Sequence, residues 1–198
     1  ASMIDEIKVQ MKGQLPSCIV VSVGGGGLLC GVLLGLQRNG WESVPVVAVE
    51  TQGAESFHRG MAAGKPVRLE GGITSIAKSL GATIVSPNAI KMSQLHPGTV
   101  TSIVVSDAAA VNACCQFADD QRCMVEPACG AALAGAAYDA EGVALGVAKL
   151  LEASVASDDA DKKQEGEQKQ VTKNVIVIAC GGNIVSRDMM DSWAKKTK

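Results

Sequence analysis

The residues best placed for chemistry are four consecutive glycines, Gly24, Gly25, Gly26 and Gly27. The apolar run at 18–23 before them predicts a buried parallel strand, and residues 28–37 after them predict a helix. Glycines let the backbone turn sharply and expose several N–H groups, and the dipole at a helix N-terminus favours an anion there. The run therefore predicts a phosphate site, and a tight strand-to-helix turn is the structural alternative.

The two common nucleotide motifs do not fit this glycine run. The dinucleotide fingerprint needs glycines at offsets 0, 2 and 5, and here the third position falls on Leu29 or Cys30. A P-loop ends in Gly-Lys-Ser/Thr, whereas Gly31 is followed by Val32. The spacing favours a compact phosphate group on a small cofactor.

A second glycine-bearing loop follows another apolar strand. Residues 174–179 predict that strand, and Cys180-Gly181-Gly182-Asn183 comes directly after it. A third strand at 46–49 ends at Glu50 and completes a β-α-β unit with the first strand. Since open parallel sheets bind ligands outside the carboxyl ends of their strands, both loops and Glu50 are candidates for one crevice.

The elements that position these loops predict an α/β fold, an open and mostly parallel sheet flanked by helices. Further helices are predicted at 2–12, from 53–56 to about 63, at 87–96, at 108–119, from 126–131 to about 153 and after the N-cap Ser186, and further strands at 102–105 and 123–125. The polar stretch at 154–173 predicts a mobile loop.

Composition narrows the function class. The 198 residues suffice for one domain with a substantial core, and a net charge of −2 with interspersed signs does not favour nucleic acid or an acidic membrane surface. No apolar run approaches the ~18 residues of a membrane span. The seven cysteines form no C-x-x-C pair, so a reducing, cytoplasmic compartment is expected and a zinc or dithiol site is not.

Three motifs together resemble the L-serine dehydratase and threonine dehydratase family. They are Ser-Val-Gly-Gly-Gly-Gly-Leu-Leu-Cys-Gly at 22–31, Val-Glu-Pro-Ala-Cys-Gly-Ala-Ala-Leu-Ala at 125–134 and Ala-Cys-Gly-Gly-Asn at 179–183. Residues 53–57 and 73–77 also match. The resemblance implies a pyridoxal phosphate enzyme of fold type II, similar to the tryptophan synthase β-subunit. It further implies that residues 1–198 belong to the large cofactor-binding domain.

The resemblance also implies cofactor contacts. Gly24 to Gly27, with Leu28, would hold the phosphate through backbone N–H groups. Cys180, followed by Gly181, would face the pyridine nitrogen, where a thiol leaves the ring a weaker electron sink than a carboxylate does. The alternative for Cys180 is a small core residue at a strand end.

A monovalent cation site and one glutamate complete the implied set. Glu50, Ala54 and Ser56, with backbone carbonyls near Leu80 and Ala82, match positions that bind potassium in the family. Oxygen ligands with a single carboxylate suit such an ion. The alternative is that Glu50 only caps the following turn.

Glu126 resembles a family glutamate near the cofactor and is a possible catalytic residue. Its position before a predicted helix has a second explanation, because a carboxylate there complements the helix dipole. The sequence leaves both interpretations open.

Two family motifs are absent from this chain. The Ser-Phe-Lys-x-Arg-Gly segment supplies the Schiff-base lysine, and the Ser-Gly-Asn-x-Gly loop grips the substrate carboxylate; both lie upstream in the family. We therefore expect the chain to be the carboxyl-terminal portion of the enzyme, partnered by a missing amino-terminal segment or chain and inactive alone.

The implied reaction is the dehydration and deamination of L-serine or L-threonine, small amino-acid substrates, to a 2-oxo acid and ammonia, in a homodimer. A serine racemase has the same fold and differs in reprotonation. A dinucleotide-dependent enzyme fits the strand and Glu50 but fails on glycine spacing. A non-catalytic cofactor-binding chain that lost the lysine is the third alternative.

Overall fold

The computed structural model describes residues 1–138, 147, 174–182 and 185–197. Four strands form one sheet: β1 (Cys18–Ser22), β2 (Val46–Thr51), β3 (Val100–Val105) and β4 (Val175–Ile178). Their order is β3-β2-β1-β4, and every neighbouring pair is parallel. The predicted open parallel sheet is confirmed, with β1 central and β4 at one edge of the described sheet.

Seven α-helices belong to the described part of the chain: α1 (Ser2–Gln10), α2 (Gly27–Arg38), α3 (Ser56–Ala63), α4 (Pro87–Leu95), α5 (Asp107–Gln121), α6 (Pro127–Leu133) and α7 (Arg187–Lys196). A 3₁₀ turn spans Lys78–Leu80, and a π-helical turn, Ala134–Tyr138, continues α6.

The helices cover both faces of the sheet. Ile19 and Val21 of β1 pack with α1, α2 and α4, whereas Cys18 and Val20 pack with α5, α6 and α7. Successive side chains of a strand point to opposite faces, so a strand covered on both sides must be apolar throughout. This explains why β1 reads as an unbroken apolar run.

Several predicted elements agree with the structure and some do not. Ser106 and Ser186 are the N-caps of α5 and α7, since their hydroxyls accept hydrogen bonds from the amides of Ala109 and Met189. The predicted strand at 123–125 is wrong, because these residues form an irregular connection between α5 and α6. Val125 is buried in the core shared by those helices, so helix packing rather than strand pairing accounts for its apolar character.

The predictions for the Ala-rich region are tested only in part. The predicted helix begins as α6 and continues into the π-helical turn. Its further course towards residue 153, and the predicted loop at 154–173, lie outside the described residues. Among the residues that are described, no helix has the length and apolar character needed to cross a membrane.

Helix α2, which begins at the glycine run, is held in place by α1. Ile4 is completely buried in the core that α1 and α2 share. A Cβ on Gly35 would lie 2.6 Å from Cγ1 of Ile4, whereas a Cβ on Gly31 would meet nothing closer than 3.4 Å. The close approach of the two helices therefore depends on Gly35.

We expect Gly35→Ala to destabilise the chain and Gly31→Ala not to. Overpacking costs about 1–3 kcal/mol, which exceeds the gain of roughly 1 kcal/mol that alanine brings to a helix interior. Gly31→Ala gains the helix propensity without the clash. Urea unfolding of both variants measures the difference, and equal stabilisation by the two substitutions would contradict the packing argument.

Candidate functional site

The two glycine-bearing loops lie side by side at the carboxyl edge of the sheet. Val21 of β1 pairs with Ile178 of β4, so the chain leaves the sheet towards Gly24 and Cys180 from adjacent positions. The predicted convergence of the loops is thus present, although β4 is an edge strand of the described sheet.

The first loop presents backbone amides to solvent. Among the described residues no acceptor takes a hydrogen bond from the N–H groups of residues 24–28, and Gly25, Gly27 and Leu28 are exposed. The carbonyls are used instead, since Gly25 O accepts from Ser86 N at 3.1 Å and Gly26 O from Cys30 N at 2.9 Å. Free donors at the start of a helix suit an anion.

Close neighbours explain why two of these positions are glycine. A Cβ on Gly24 would lie 2.6 Å from the carbonyl oxygen of Leu80, and a Cβ on Gly26 would lie 2.5 Å from Cβ of Ala89. Gly26 also has a φ of +91°, which disfavours other residues. Packing therefore fixes the path of the loop, and the path leaves the amides free.

Cys180 lies in the second loop with an exposed side chain, and the Cys129 thiol donates to the carbonyl oxygen of Gly181 beside it at 3.8 Å. Interaction with the neighbouring Cys129 thiol is the main reason that the pKa of Cys180 falls below its usual value. Partial burial opposes this shift, and the Ser22 hydroxyl adds to it. The interaction between the two thiols correspondingly raises the pKa of Cys129.

Glu126 faces the same loop. Its backbone carbonyl accepts from the amides of Cys129 and Gly130 at 2.8 and 3.0 Å, which begins α6, and its side chain makes no capping hydrogen bond. The carboxylate instead lies against Gly181, where an added Cβ would overlap Oε1 of Glu126. The structure thus brings Glu126, Cys180 and Gly181 together.

Glu50 is buried at the end of β2 and its carboxylate caps α3. Oε1 accepts from the amide of Phe57 at 2.8 Å, and Oε2 accepts from the amide of His58 at 2.7 Å. Burial raises the pKa of Glu50 to about 7, even though these two hydrogen bonds lower it. The capping role considered from the sequence is therefore present, and it leaves a carboxylate with a large desolvation cost.

The other residues of the predicted cation site fall into two groups. Ala54 and Ser56 lie with Glu50 at the turn into α3, and the buried Ser56 hydroxyl has no hydrogen-bond partner among the described residues. Leu80 and Ala82 lie against the glycine run. No cluster of three or more His, Cys, Asp or Glu side chains suited to a metal occurs in the described part of the chain.

Sequence reasoning missed Ser22 and Cys129 as neighbours of Cys180. Ser22 is the polar last residue of an otherwise apolar strand, and such a residue at the carboxyl edge was a usable signal. Cys129 is nearly indistinguishable from a small core residue in the sequence, because only the fold brings α6 against the second loop.

Comparison with known proteins identifies the family. Residues 1–151 match the family model described as pyridoxal-phosphate dependent enzyme. The chain belongs to this family. The structural relatives have fold type II, which confirms the predicted fold class.

This member of the family also has individual relatives of substantial identity. It is 44% identical over 187 residues to L-serine dehydratase/L-threonine deaminase of Bos taurus and of Homo sapiens, covering 94% of this chain and 50% of each relative. The crystal structure of an L-serine ammonia-lyase from Rhizomucor miehei superposes with a TM-score of 0.77 at 32% identity, covering 100% of this chain and 55% of that one. The chain thus spans about half the length of these relatives.

A maize serine racemase is more distant. Its structure gives a TM-score of 0.69 at 23% identity over 98% of this chain and 52% of that one. At that identity the likeness shows the shared fold.

Cys180 is expected to react with iodoacetamide faster than Cys123, the other exposed cysteine. Its lowered pKa places thiolate at neutral pH, so its alkylation rate falls as the pH is lowered through the shifted pKa. Peptide mass spectrometry after timed labelling measures both rates. Cys129→Ala removes the thiol that does most to lower the pKa of Cys180 and should slow Cys180 labelling; an unchanged rate would contradict this cause of the shift.

Proposed function

We propose that this chain is the carboxyl-terminal part of the large domain of an L-serine and/or L-threonine ammonia-lyase. The complete enzyme would convert the amino acid to a 2-oxo acid and ammonia. The observation that carries this proposal is the juxtaposition, on adjacent strands, of a loop of unpartnered amides and a loop bearing Cys180. The named activities of the relatives that are 44% identical support the same reaction.

The glycine run would bind the cofactor phosphate. Exposed N–H groups of residues 24–28 would donate to it, and the N-terminal dipole of α2 would favour its charge. Because the carbonyls of Gly25 and Gly26 are bonded elsewhere, the amides do not have to reorganise to meet the anion.

Cys180, with Gly181, would bind the nitrogen edge of the cofactor ring. Pyridoxal phosphate supplies an electron sink for loss of the substrate α-proton. The Cys129 and Ser22 side chains lower the pKa of Cys180, and the protonation state of this thiol decides whether the ring nitrogen meets a donor or an acceptor. Glu126, held beside Gly181, would add negative charge to this side of the site.

A potassium ion would occupy the turn between β2 and α3. Glu50 and Ser56 would supply side-chain oxygens, and Ala54, Leu80 and Ala82 would supply carbonyl oxygens. A buried hydroxyl without a partner and a buried carboxylate with a raised pKa both cost free energy that a cation would offset. Ser93, in α4, also has a buried hydroxyl without a partner among the described residues, so it serves as a control.

The assembly and location of the enzyme are also proposals. An amino-terminal segment or chain would supply the lysine and the substrate-carboxylate loop, and two copies would form a homodimer. All seven cysteines are free, which suits the reducing cytoplasm.

Product analysis tests the reaction. We expect the protein, purified from its source together with whatever polypeptide accompanies it, to release 2-oxo acid and ammonia from L-serine or L-threonine. A lactate dehydrogenase assay measures the 2-oxo acid, and chiral chromatography measures D-serine. D-serine as the main product would favour a racemase, and cofactor binding without either product would favour a non-catalytic chain.

Gly24→Ala is expected to weaken binding of pyridoxal phosphate by about tenfold or more, since the added Cβ displaces the loop from Leu80. Fluorescence titration measures the dissociation constant. Gly31 lies inside α2, and a Cβ there would meet nothing closer than 3.4 Å. The Gly31→Ala variant should therefore bind pyridoxal phosphate as tightly as the unchanged chain. Equal binding of pyridoxal without phosphate would contradict the phosphate assignment.

Potassium is expected to stabilise the chain through Ser56. Saturating KCl, compared with tetramethylammonium chloride at equal ionic strength, should raise the free energy of unfolding by about 1 kcal/mol. Ser56→Ala should lose most of this increment, while Ser93→Ala, which removes the other unpartnered buried hydroxyl, should keep it. The same potassium increment in both variants would exclude Ser56 as a ligand.

A further inference from the structure

Thr51, Ser75 and Asp107 form a chain of hydrogen bonds that joins β2 to the start of α5. The Thr51 and Ser75 hydroxyl oxygens are 2.8 Å apart, and the Ser75 hydroxyl donates to Oδ1 of Asp107 at 2.6 Å. Thr51 is completely buried and Ser75 is almost completely buried. Such a network is expensive to disrupt, because each lost partner leaves a polar atom without water.

The direction of these bonds follows from the available protons. Ser75 has one hydroxyl proton, which Asp107 accepts, so the Thr51 hydroxyl must be the donor to Ser75. The Ser75 oxygen also accepts from the amide of Ala77 at 3.0 Å. Ser75 is thus the centre of the network and uses its donor and both acceptor positions.

The network fixes the segment that follows Ser75. Oδ2 of Asp107 accepts from the amide of Ile76 at 3.0 Å, and the amide of Thr74 donates to Gly53 O at 3.1 Å. Residues 74–77 are therefore attached on one side to the β2–α3 turn and on the other side to α5.

This segment leads directly to the residues that pack against the glycine run. It leads to the 3₁₀ turn Lys78–Leu80, whose Leu80 carbonyl occupies the space next to Gly24, and Cβ of Ala82 lies 4.0 Å from the Cβ position of Gly25. Because these contacts are tight, a displacement of Leu80 changes the path of the glycine run.

We propose that Asp107 and Ser75, with Thr51, are positioning residues for the cofactor loop: they hold residues 74–82 against the glycine run and so keep its amides converged on the phosphate. This inference rests on the proposed function for its ligand. The mechanical part, coupling between Asp107 and the glycine run, stands on the contacts alone.

Asp107→Asn is the principal variant. It keeps the shape of the side chain but has one acceptor oxygen where the segment offers two donors, the Ser75 hydroxyl and the Ile76 amide. Asp188→Asn is the matched control, because Asp188 also lies in the first turn of a helix, α7, after a serine N-cap. It removes the same favourable interaction with a helix dipole without touching residues 74–82.

Amide hydrogen exchange tests the coupling without the cofactor. In Asp107→Asn the amides of Ile76, Ala77 and Ser86, the last of which donates to Gly25 O, should exchange about tenfold faster than in the unchanged chain. In Asp188→Asn they should not change. Unchanged exchange at Ser86 in Asp107→Asn would overturn the inference, whether or not the chain binds pyridoxal phosphate.

Cofactor titration of the same proteins tests the consequence. Asp107→Asn should weaken binding of pyridoxal phosphate about tenfold while Asp188→Asn leaves it within about twofold. Faster exchange with unchanged affinity would overturn the positioning role. Failure of the unchanged chain to bind pyridoxal phosphate would contradict the assignment of the glycine run as the phosphate site, and exchange would still decide the coupling.

Thr51→Val and Thr51→Ser form a second pair in case Asp107→Asn unfolds. Valine removes the hydroxyl that donates to Ser75, and serine retains it. Thr51→Val should reproduce faster exchange at Ser86 and weaker cofactor binding, and Thr51→Ser should restore both. Equal behaviour of the two variants would overturn the role assigned to the network.

Discussion

The parallel pairing of β1 with β4 is the constraint on which the proposed site depends. It places the ends of two strands that are distant in sequence next to each other, and each end continues into a glycine-bearing loop. Both strands are apolar and pack on both faces of the sheet, β1 completely and β4 partly buried, so burial favours the pairing. Without this pairing, the two glycine-bearing loops would lie far apart and could not form one site.

Polar groups at the carboxyl edge are arranged by the elements behind them. Glu50 uses both carboxylate oxygens to begin α3, and the Cys129 thiol on α6 donates to the carbonyl oxygen of Gly181 beside Cys180. The buried Glu50 carboxylate and the second loop are each held by a neighbouring helix. Preorganisation of this kind lets a loop bind a ligand with little further ordering.

The sequence alone predicted the sheet, the glycine run at the start of α2 and the second loop, because these follow from local periodicity and from glycine. It could not predict the hydrogen bonds among Thr51, Ser75 and Asp107, which join residues far apart in the chain and carry no local pattern. The error at 123–125 has a related cause: Val125 is apolar because α5 and α6 meet there, and local pattern does not separate that from a strand.

The close packing of Ile4 in α1 against Gly35 in α2 has a consequence for limited proteolysis. The connection between α1 and β1 is largely exposed and contains Lys12, a trypsin site, with a positive φ. Cleavage there would break the covalent connection between α1 and β1, so that α1 would be held against α2 by packing contacts. Dissociation of α1 would expose the face of α2 that packs against it. Because the first residues of α2 present the free amides, cleavage at the distant Lys12 would alter the ligand crevice.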